Sequence, residues 1–257
     1  MRHATLKNRT KVLAPLGLVA LLVALWWVAV VTSRSLIFPT PAQVVLGTVE
    51  LMQQGLLVKH VLASLSRVAL GYLLAAALAI PFGILLGWFS AAYAAFNPLI
   101  QLLRPISPIA WIPVAILWFG VGDGSPIFLI FLSSFFPMVV ATTAGVHTIE
   151  RQYLLAAQNF GVRGLKLWRV VVLLAALPQI IVGMRVGLGV AWLVVVAAEM
   201  IAINSGLGFL IIDSRNAGNR YDLVVAGMAI IGVIGLVLDN LMRRLERLDV
   251  VRWRYGH

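Results

Sequence analysis

Long apolar segments recur along this 257-residue chain, and they constrain its fold more than any other feature. A helix needs about 20 apolar residues to cross the ~30 Å hydrocarbon core of a membrane. With 61% apolar and only 11% charged residues, the composition excludes an ordinary soluble domain, in which about a quarter of the residues are charged. We therefore predict an all-α polytopic membrane protein with six transmembrane helices, at Val12–Thr32, Arg67–Phe89, Phe96–Phe119, Ile127–Val146, Leu177–Ile203 and Leu223–Leu241.

The first apolar segment follows a basic start. Residues 1–11 carry four basic residues and no acidic residue. A cleaved signal peptide has the same order of charge and apolarity. We favour an uncleaved span, because the apolar run is longer than a typical signal core and no clear small-residue cleavage site follows it.

Lysine and arginine are distributed unevenly between the two sides that six spans define. Thirteen of them lie in residues 1–11, in the loop 147–176 and in the tail 242–257, whereas five lie in the other loops. Loops on the cytoplasmic side are enriched in Lys and Arg. We therefore predict a single transmembrane domain over 12–241, with both termini in the cytoplasm. This arrangement explains the net charge of +11 without nucleic-acid binding.

The third predicted span is rich in proline. Pro98, Pro105, Pro108 and Pro113 lie in one apolar run. Each proline lacks a backbone donor, so we predict that this span is not a straight helix. Broken backbone at membrane depth is tolerated only where protein or a water-filled cavity surrounds it.

The segments that connect the spans on the outer side are polar or amphipathic. Ala42–Gln54 has helical periodicity, and we interpret it as a short helix lying on the outer membrane surface. Asn204–Asp222 is interpreted as a polar loop. Within the spans, Gly83 and Gly87, and likewise Gly183 and Gly187, are spaced for close helix packing; Gly189 is placed on the same span as the second pair.

Three ionisable residues lie at apparent membrane depth: Arg104, Arg185 and Glu199. Such residues usually face a cavity or pair with one another. Arg185 and Glu199 are about 21 Å apart along one helix and cannot pair directly. Glu199 is expected to pair with Arg104 or with an arginine of a second copy. The hypothesis is that Arg104 or Arg185 lines an anion pathway; the alternative is a buried structural pair or an arginine that extends to the membrane surface.

A long polar and basic segment, Glu150–Pro178, separates the fourth and fifth spans. It predicts a short helix over Tyr153–Phe160. Gly161 is expected to end that helix, because glycine readily adopts the left-handed conformation at a helix end. A second basic helix then runs into the fifth span. A loop of this length and charge is expected to bind a cytoplasmic component; binding only to anionic lipid headgroups is the alternative.

This loop resembles the signature of binding-protein-dependent ABC importer permeases. The family pattern is Glu-Ala-Ala, three residues, Gly, nine residues, a branched apolar residue, one residue and Leu-Pro. Ala156, Ala157 and Gly161 match it, and Val171 and Leu173 occupy the later apolar positions.

Two positions depart from the pattern, since Leu155 replaces the Glu and Leu174 replaces the Pro. Pro178 matches a second proline of the nitrate/sulfonate/taurine branch. The resemblance covers roughly residues 36–240. Other stretches similar to that branch are Leu103–Pro113, Leu117–Gly120, Gly183–Gly189, Ala197–Ala202 and Ser205–Gly208.

The resemblance implies a type I ABC importer permease-like fold, a location in a bacterial inner membrane and a role in ion transport. It implies a homodimer, two ATPase subunits that bind ATP and Mg, an extracytoplasmic binding protein and the membrane lipid as partners. The cargo would be a small anion of the nitrate, sulfonate/taurine or bicarbonate type. The expected ATPase-coupling residues are Leu155, Ala156, Ala157, Gly161, Arg163 and Pro178.

The chain itself is not expected to be an enzyme or to bind a cofactor. It has no Gly-x4-Gly-Lys-Ser/Thr phosphate-binding motif, so ATP hydrolysis is expected in separate subunits. Its four histidines show no metal-ligand spacing, and no catalytic triad is recognisable.

Three alternatives remain open. The same architecture could import a pyrimidine-type vitamin precursor. A secondary transporter would require inverted repeats, and none is convincing between residues 12–119 and 126–241. A membrane-embedded enzyme would need clustered His, Asp or Glu in the spans, where only Glu199 is clearly placed.

Overall fold

A computed structural model describes residues 2–33, 37–216 and 218–246, and the regular elements in these ranges are all helical. A 3₁₀ turn, Pro108–Trp111, precedes α5, and a π-helical turn, Trp168–Val172, precedes α9. The α-helices are α1 (Arg2–Ser33), α2 (Pro41–Gln53), α3 (Leu56–Trp88), α4 (Ser90–Leu103), α5 (Ile112–Phe119), α6 (Gly124–His147), α7 (Arg151–Asn159), α8 (Gly164–Leu167), α9 (Leu173–Ala202), α10 (Leu207–Asn216) and α11 (Tyr221–Glu246).

Four helical segments are long and apolar enough to cross a membrane, and they contain α3, α6, α9 and α11. The α9 segment extends from Gly164 to Ile201, because α8 and the π-helical turn continue into α9. A bent pair made of α4 and the 3₁₀ turn with α5 would be a fifth span. The apolar part of α1, Gly17–Ser33, is shorter. The predicted all-helical membrane architecture is confirmed, whereas the count of six spans stays a prediction.

The proline-rich third span is broken, as predicted. Its two halves, Ser90–Leu103 and Pro108–Phe119, meet at 86°. Pro98 lies inside α4, Pro108 begins the 3₁₀ turn and Pro113 lies in the first turn of α5. Proline fits a first turn because the backbone N–H that it lacks would have no partner inside the helix there. The bend therefore falls where the proline spacing allows no continuous ladder of hydrogen bonds.

Several boundaries differ from the sequence prediction, and two of these differences affect the site. The second span, predicted to begin at Arg67, begins eleven residues earlier, at Leu56. Lys59 and His60 lower the local hydropathy there but do not interrupt the helix. The predicted polar loop Asn204–Asp222 is also wrong in part, because it contains α10. Contacts with distant residues stabilise the start of α10, and the local sequence does not show them.

The chain divides into two compact units, one made of residues up to 58 with 210–230 and the other made of 59–209 with the residues from 231 onward. In the smaller unit, α2 is capped by Thr40, whose side chain and backbone form a reciprocal pair with Gln43. The predicted helix over 42–54 is therefore confirmed.

An ion-pair group in the smaller unit joins α2 to the start of α11. Arg220 donates to Glu50 at 2.6 Å and to Asp222 at 2.8 Å. The hydrogen bond from Arg220 lowers the pKa of Glu50. The carboxylates of Asp222 and Glu50 raise the pKa of Arg220 above its usual range. Gly47 lies beside Leu223, where an added Cβ would be 3.0 Å from the leucine side chain, so the ion pairs lie beside a tight apolar contact.

The larger unit is organised around α6, which packs along α9 and against α3. A Cβ added at Gly83 would lie 2.6 Å from Thr142, and one added at Gly183 would lie 2.5 Å from Ala141. Both distances are too short for a real side chain, so glycine lets the backbones touch. The predicted packing role of these spans is confirmed. Other glycines that lie against α6 are Gly71, Gly87 and Gly187.

Candidate functional site

The loop between α6 and α9 has the predicted local structure. α7 begins after Glu150, whose carboxylate accepts a hydrogen bond from the side chain of Gln152. Gly161 ends it with a positive φ of 76°. The Gly161 N–H donates to the carbonyl of Gln158, and the Val162 N–H donates to that of Ala157, both at 2.9 Å. This is a Schellman motif, so the loop has a defined exit direction.

Apolar side chains are exposed on this polar loop. Phe160 is 87% and Leu165 67% exposed, and Tyr153 and Leu155 are about half exposed. Ala156 is exposed and Ala157 is half-buried, so small side chains leave a shallow surface between the large ones. Four basic residues are also exposed: Arg151, Arg163, Lys166 and Arg169. We call this exposed surface of residues 150–169 the coupling surface, after the role that the sequence predicts for it.

The base of the loop is fixed to the membrane helices by aromatic packing. The ring of Trp168 lies 4.9 Å from that of Trp88 and 6.1 Å from that of Phe89. Beyond it, Val172 is buried in an apolar cluster that includes Val146 and Ala176. Pro178 is buried inside α9 and does not reach the exposed surface. The coupling surface therefore stands on a rigid base.

Arg104 and Arg185 have different surroundings. Arg104 caps the end of α4 and is exposed, and no ion pair to it is found within 2–33, 37–216 and 218–246. Arg185 donates to Asp239 at 2.8 Å and to Glu246 at 3.2 Å. Two carboxylates on α11 thus surround the guanidinium of Arg185 at the polar end of a mostly apolar cavity of about 610 Å³.

Glu199 does not pair with Arg104, which corrects the expectation from the sequence. It is fully buried and accepts a hydrogen bond from Arg67 at 2.7 Å. Arg67, which lies inside α3, is itself 3% exposed, and its guanidinium also reaches Asp123 at 2.7 Å and the backbone carbonyl of Ser205 at 3.0 Å. Arg67, which the sequence places at the edge of the second span, is therefore the buried partner of Glu199.

Three side chains, one of them Glu199 itself, accept hydrogen bonds from three consecutive backbone N–H groups at the start of α10. His60 Nδ1 accepts from Gly206 at 3.0 Å. Ser64 Oγ accepts from Leu207 at 2.9 Å and donates to Glu199 at 2.8 Å. Glu199 accepts from Gly208 at 3.0 Å. The first N–H groups of a helix have no partner inside it, so these side chains supply a cap from distant parts of the chain.

The glycines of this segment make room for that cap. Gly206 has a positive φ of 104°, and an added Cβ would overlap the carboxyl group of Glu199. A Cβ at Gly208 would overlap the carbonyl of Val196. The Ser205–Gly208 stretch is therefore required by the approach of Glu199. We call His60, Ser64, Arg67, Glu199 and residues 205–208 the clamp.

The sequence pattern points to Glu199 and the two glycines but not to their partners. His60, Ser64 and Arg67 recur at positions i, i+4 and i+7, which is one face of a helix. That spacing is a usable signal, but the polarity of these residues favours a place in the connection before the span. The clamp lies at the opposite end of α9 from the coupling surface, since the 26 residues from Leu173 to Glu199 rise about 39 Å.

Comparisons with known proteins identify the family of the chain. The family described as "Binding-protein-dependent transport system inner membrane component" matches residues 79–248. This match covers more than half of the chain and includes the coupling surface, α9 and the Glu199 end of the clamp. The chain belongs to this family of membrane permease components.

Relatives within the family are named for different cargoes. The chain is 36% identical to the taurine transport system permease protein of Escherichia coli, over 90% of this chain and 86% of the relative. It is 33% identical to a nitrate import permease protein of Synechocystis, over 93% of this chain and 90% of the relative.

A solved structure shares the fold. It is an inward-facing form of the MetNI methionine ABC transporter, with a TM-score of 0.65 and 16% sequence identity. The match covers 75% of this chain and 95% of the solved chain. It supports the architecture of a type I ABC importer permease.

Proposed function

We propose that this protein is the permease subunit of an ATP-driven importer that moves a small oxyanion delivered by an extracytoplasmic binding protein. Two copies enclose the pathway, and a separate ATPase subunit binds to the coupling surface of each copy. The coupling surface carries the proposal, because it exposes large apolar side chains on a structured and firmly based loop.

The physical argument for an ATPase partner starts from that exposure. Exposure of the large apolar side chains of Phe160 and Leu165 to water is unfavourable. Exposed apolar side chains that are grouped within a polar rim are typical of a protein interface. Ala156 and Ala157 leave space for side chains of a partner. A lipid surface alone would use the basic residues and would not need a short helix with a fixed end.

The proposed topology has six spans and both termini in the cytoplasm. Four of the six spans are the long apolar helices. The bent pair supplies one more span, and α1 supplies the remaining one, at the start of the chain. The distribution of Lys and Arg supports the orientation. The coupling surface then faces the cytoplasm, where ATP is available, and the clamp lies toward the outer side.

The proposed cargo class is a small oxyanion. Nitrate and taurine, which two relatives are named for transporting, both present negatively charged oxygens. Arg104 is our first candidate for the pathway, because it is exposed at the bend of the broken span. Arg185 is the second, because its charge is already balanced by two carboxylates. Arg104→Gln should reduce uptake of the anion more than Arg185→Gln, in proteoliposomes with equal amounts of assembled complex.

The test of the ATPase partner is co-purification from cells that express the whole transporter. Ala157→Arg places a bulky charge on the coupling surface, and Phe160→Ser removes its most exposed apolar group. Both should abolish association with the ATPase and ATP-dependent uptake while the permease keeps its melting temperature. Gln53→Lys is the control, because it adds a positive charge at an exposed polar position of α2, outside the coupling surface.

Two results would contradict the proposal. One is full retention of the ATPase by both coupling-surface variants. The other is ATP-independent uptake by the purified permease alone. Uptake of nitrate and of taurine is then measured separately, so that an incorrect cargo class is distinguished from an incorrect mechanism.

A further inference from the structure

We propose that the clamp keeps the ends of α3 and α9 and the start of α10 together as one rigid body throughout the transport cycle. It would be a permanent joint and not a gate. The inference rests on the proposed function for the existence of an ATP-driven cycle, and it adds which part of the permease does not move in that cycle.

The first argument is that every strong acceptor of the clamp is already occupied. The Glu199 carboxylate accepts from Ser64, Arg67 and Gly208. Arg67 in turn binds Asp123 and Ser205. Separating α3 from α9 would remove the buried Glu199 carboxylate from Arg67 and Ser64, and separating the partners of a buried ion pair is strongly destabilising. A gate that opens in each cycle would face that cost each time.

The second argument is the backbone. Consecutive N–H groups of Gly206, Leu207 and Gly208 bind side chains of two different helices. A small rotation of α10 would break these bonds together, because they originate from adjacent residues with fixed relative directions. The arrangement is stable in one geometry and has no equivalent second one.

The third argument is packing. Val196 and Glu199 approach Gly208 and Gly206 so closely that even a methyl group would not fit. Interfaces that slide need side chains that can rearrange, whereas at Gly208 backbone meets backbone. Gly189, on the same helix as Glu199, has no atom within 4 Å of an added Cβ, so it offers a position on α9 outside the clamp where a methyl group is tolerated.

The test is amide hydrogen exchange on the assembled transporter in lipid nanodiscs, without nucleotide and after trapping with ATP and vanadate. We expect the amides of residues 206–208 to be protected equally in both states, within a factor of two. The amides of the loop 150–169 should change between the states, which shows that the cycle has taken place. Loss of protection at 206–208 in either state, by tenfold or more, would show that the clamp opens and would overturn the inference.

Variants distinguish a local loss of the clamp contacts from a general loss of stability. Gly208→Ala should increase the exchange of amides 206–208 at least tenfold, and Gly189→Ala should leave it unchanged. If Gly208→Ala does not assemble, Ser64→Ala removes a single hydroxyl from the clamp and is expected to have the same local effect. Unchanged exchange in the assembled variant would refute the assignment of these contacts.

Failure of the proposed function would look different. In that case no ATPase would be retained, and the loop 150–169 would show no response to nucleotide. A clamp that opens would instead be seen in a complex whose loop does respond.

The sequence contains no cysteine, so a pair of introduced cysteines at the exposed positions Lys59 and Asn204 can carry spin labels for an independent distance measurement. We expect one distance distribution in both nucleotide states, and two resolved distributions would reject the rigid joint.

Discussion

The coupling surface and the clamp lie at opposite ends of α9 and are built on opposite principles. The first leaves Phe160 and Leu165 exposed and uses hydrogen bonds mainly to end one short helix. The second buries charged and polar groups and provides each with a partner inside the chain. An end that must bind another protein keeps apolar area available, while an end that must hold its shape consumes its polar groups internally.

The largest expected effect tests the clamp. Arg67→Met leaves the fully buried Glu199 without its cationic partner, and we expect a loss of about 3–5 kcal/mol in the free energy of unfolding. Fluorescence-detected thermal unfolding in detergent measures this loss. The double variant with Glu199→Gln should recover part of it, since no buried carboxylate then remains unpaired. Equal loss in the single and double variants would argue against the ion pair as the cause.

A smaller effect is expected where α9 packs on α6. Gly183→Ala places a methyl group 2.5 Å from Ala141, and overpacking of this kind costs about 1–3 kcal/mol. Gly189→Ala is the matched control on the same helix, with an expected change within about 0.5 kcal/mol. The two melting temperatures, measured side by side, give the comparison. If both variants unfold at the same temperature, the close packing of α9 on α6 is refuted.

A substitution in the coupling surface should lower the free energy of unfolding by a smaller amount. Gly161→Ala forces a non-glycine residue to a φ of 76° with no neighbouring atom within 4 Å, so the cost is that of the left-handed conformation alone, about 1–2 kcal/mol. Gly122→Ala is the control, because it also has open space but no left-handed φ. Thermal unfolding and ATP-coupled uptake are measured for both. We expect reduced uptake only for Gly161→Ala.

The smallest effect belongs to the exposed ion pair of the smaller unit. The pKa of Glu50 is lowered in the folded chain, so the pair contributes stability above the ordinary glutamate pKa, about 4.3. That contribution is lost as the pH falls through the lowered value. Glu50→Gln should therefore unfold slightly earlier than the parent at neutral pH and low salt, and at the same temperature in acid. A difference that persists in acid would require another explanation.

The sequence predicted what depends on local signals. Apolar length indicated the long helices, proline spacing indicated the broken third span, and Gly161 indicated the end of α7. These features are decided within a few residues of the chain. The short helix of the coupling surface and its end could therefore be predicted from the amino-acid pattern alone.

The clamp could be predicted only in part, because it depends on residues far apart in the chain. Ser64 and Glu199 are separated by 135 positions, and no local rule joins them. Apparent membrane depth favours Arg104 as the partner of Glu199, whereas Arg67 resembles a residue at the end of a span. Arg67 is buried beside the Glu199 carboxylate, and only the three-dimensional arrangement shows this.

The glycine contacts of α6 have a mechanical consequence. At Gly83 and Gly183 the helices α3 and α9 approach α6 so closely that an added Cβ would not fit, so little side-chain volume separates the helices at these two points. A displacement of the His147 end of α6 would therefore be transmitted along the helix with little local deformation. Under the proposed function, the three helices would tilt together when the ATPase moves the loop, and the movement would reach the opposite membrane face.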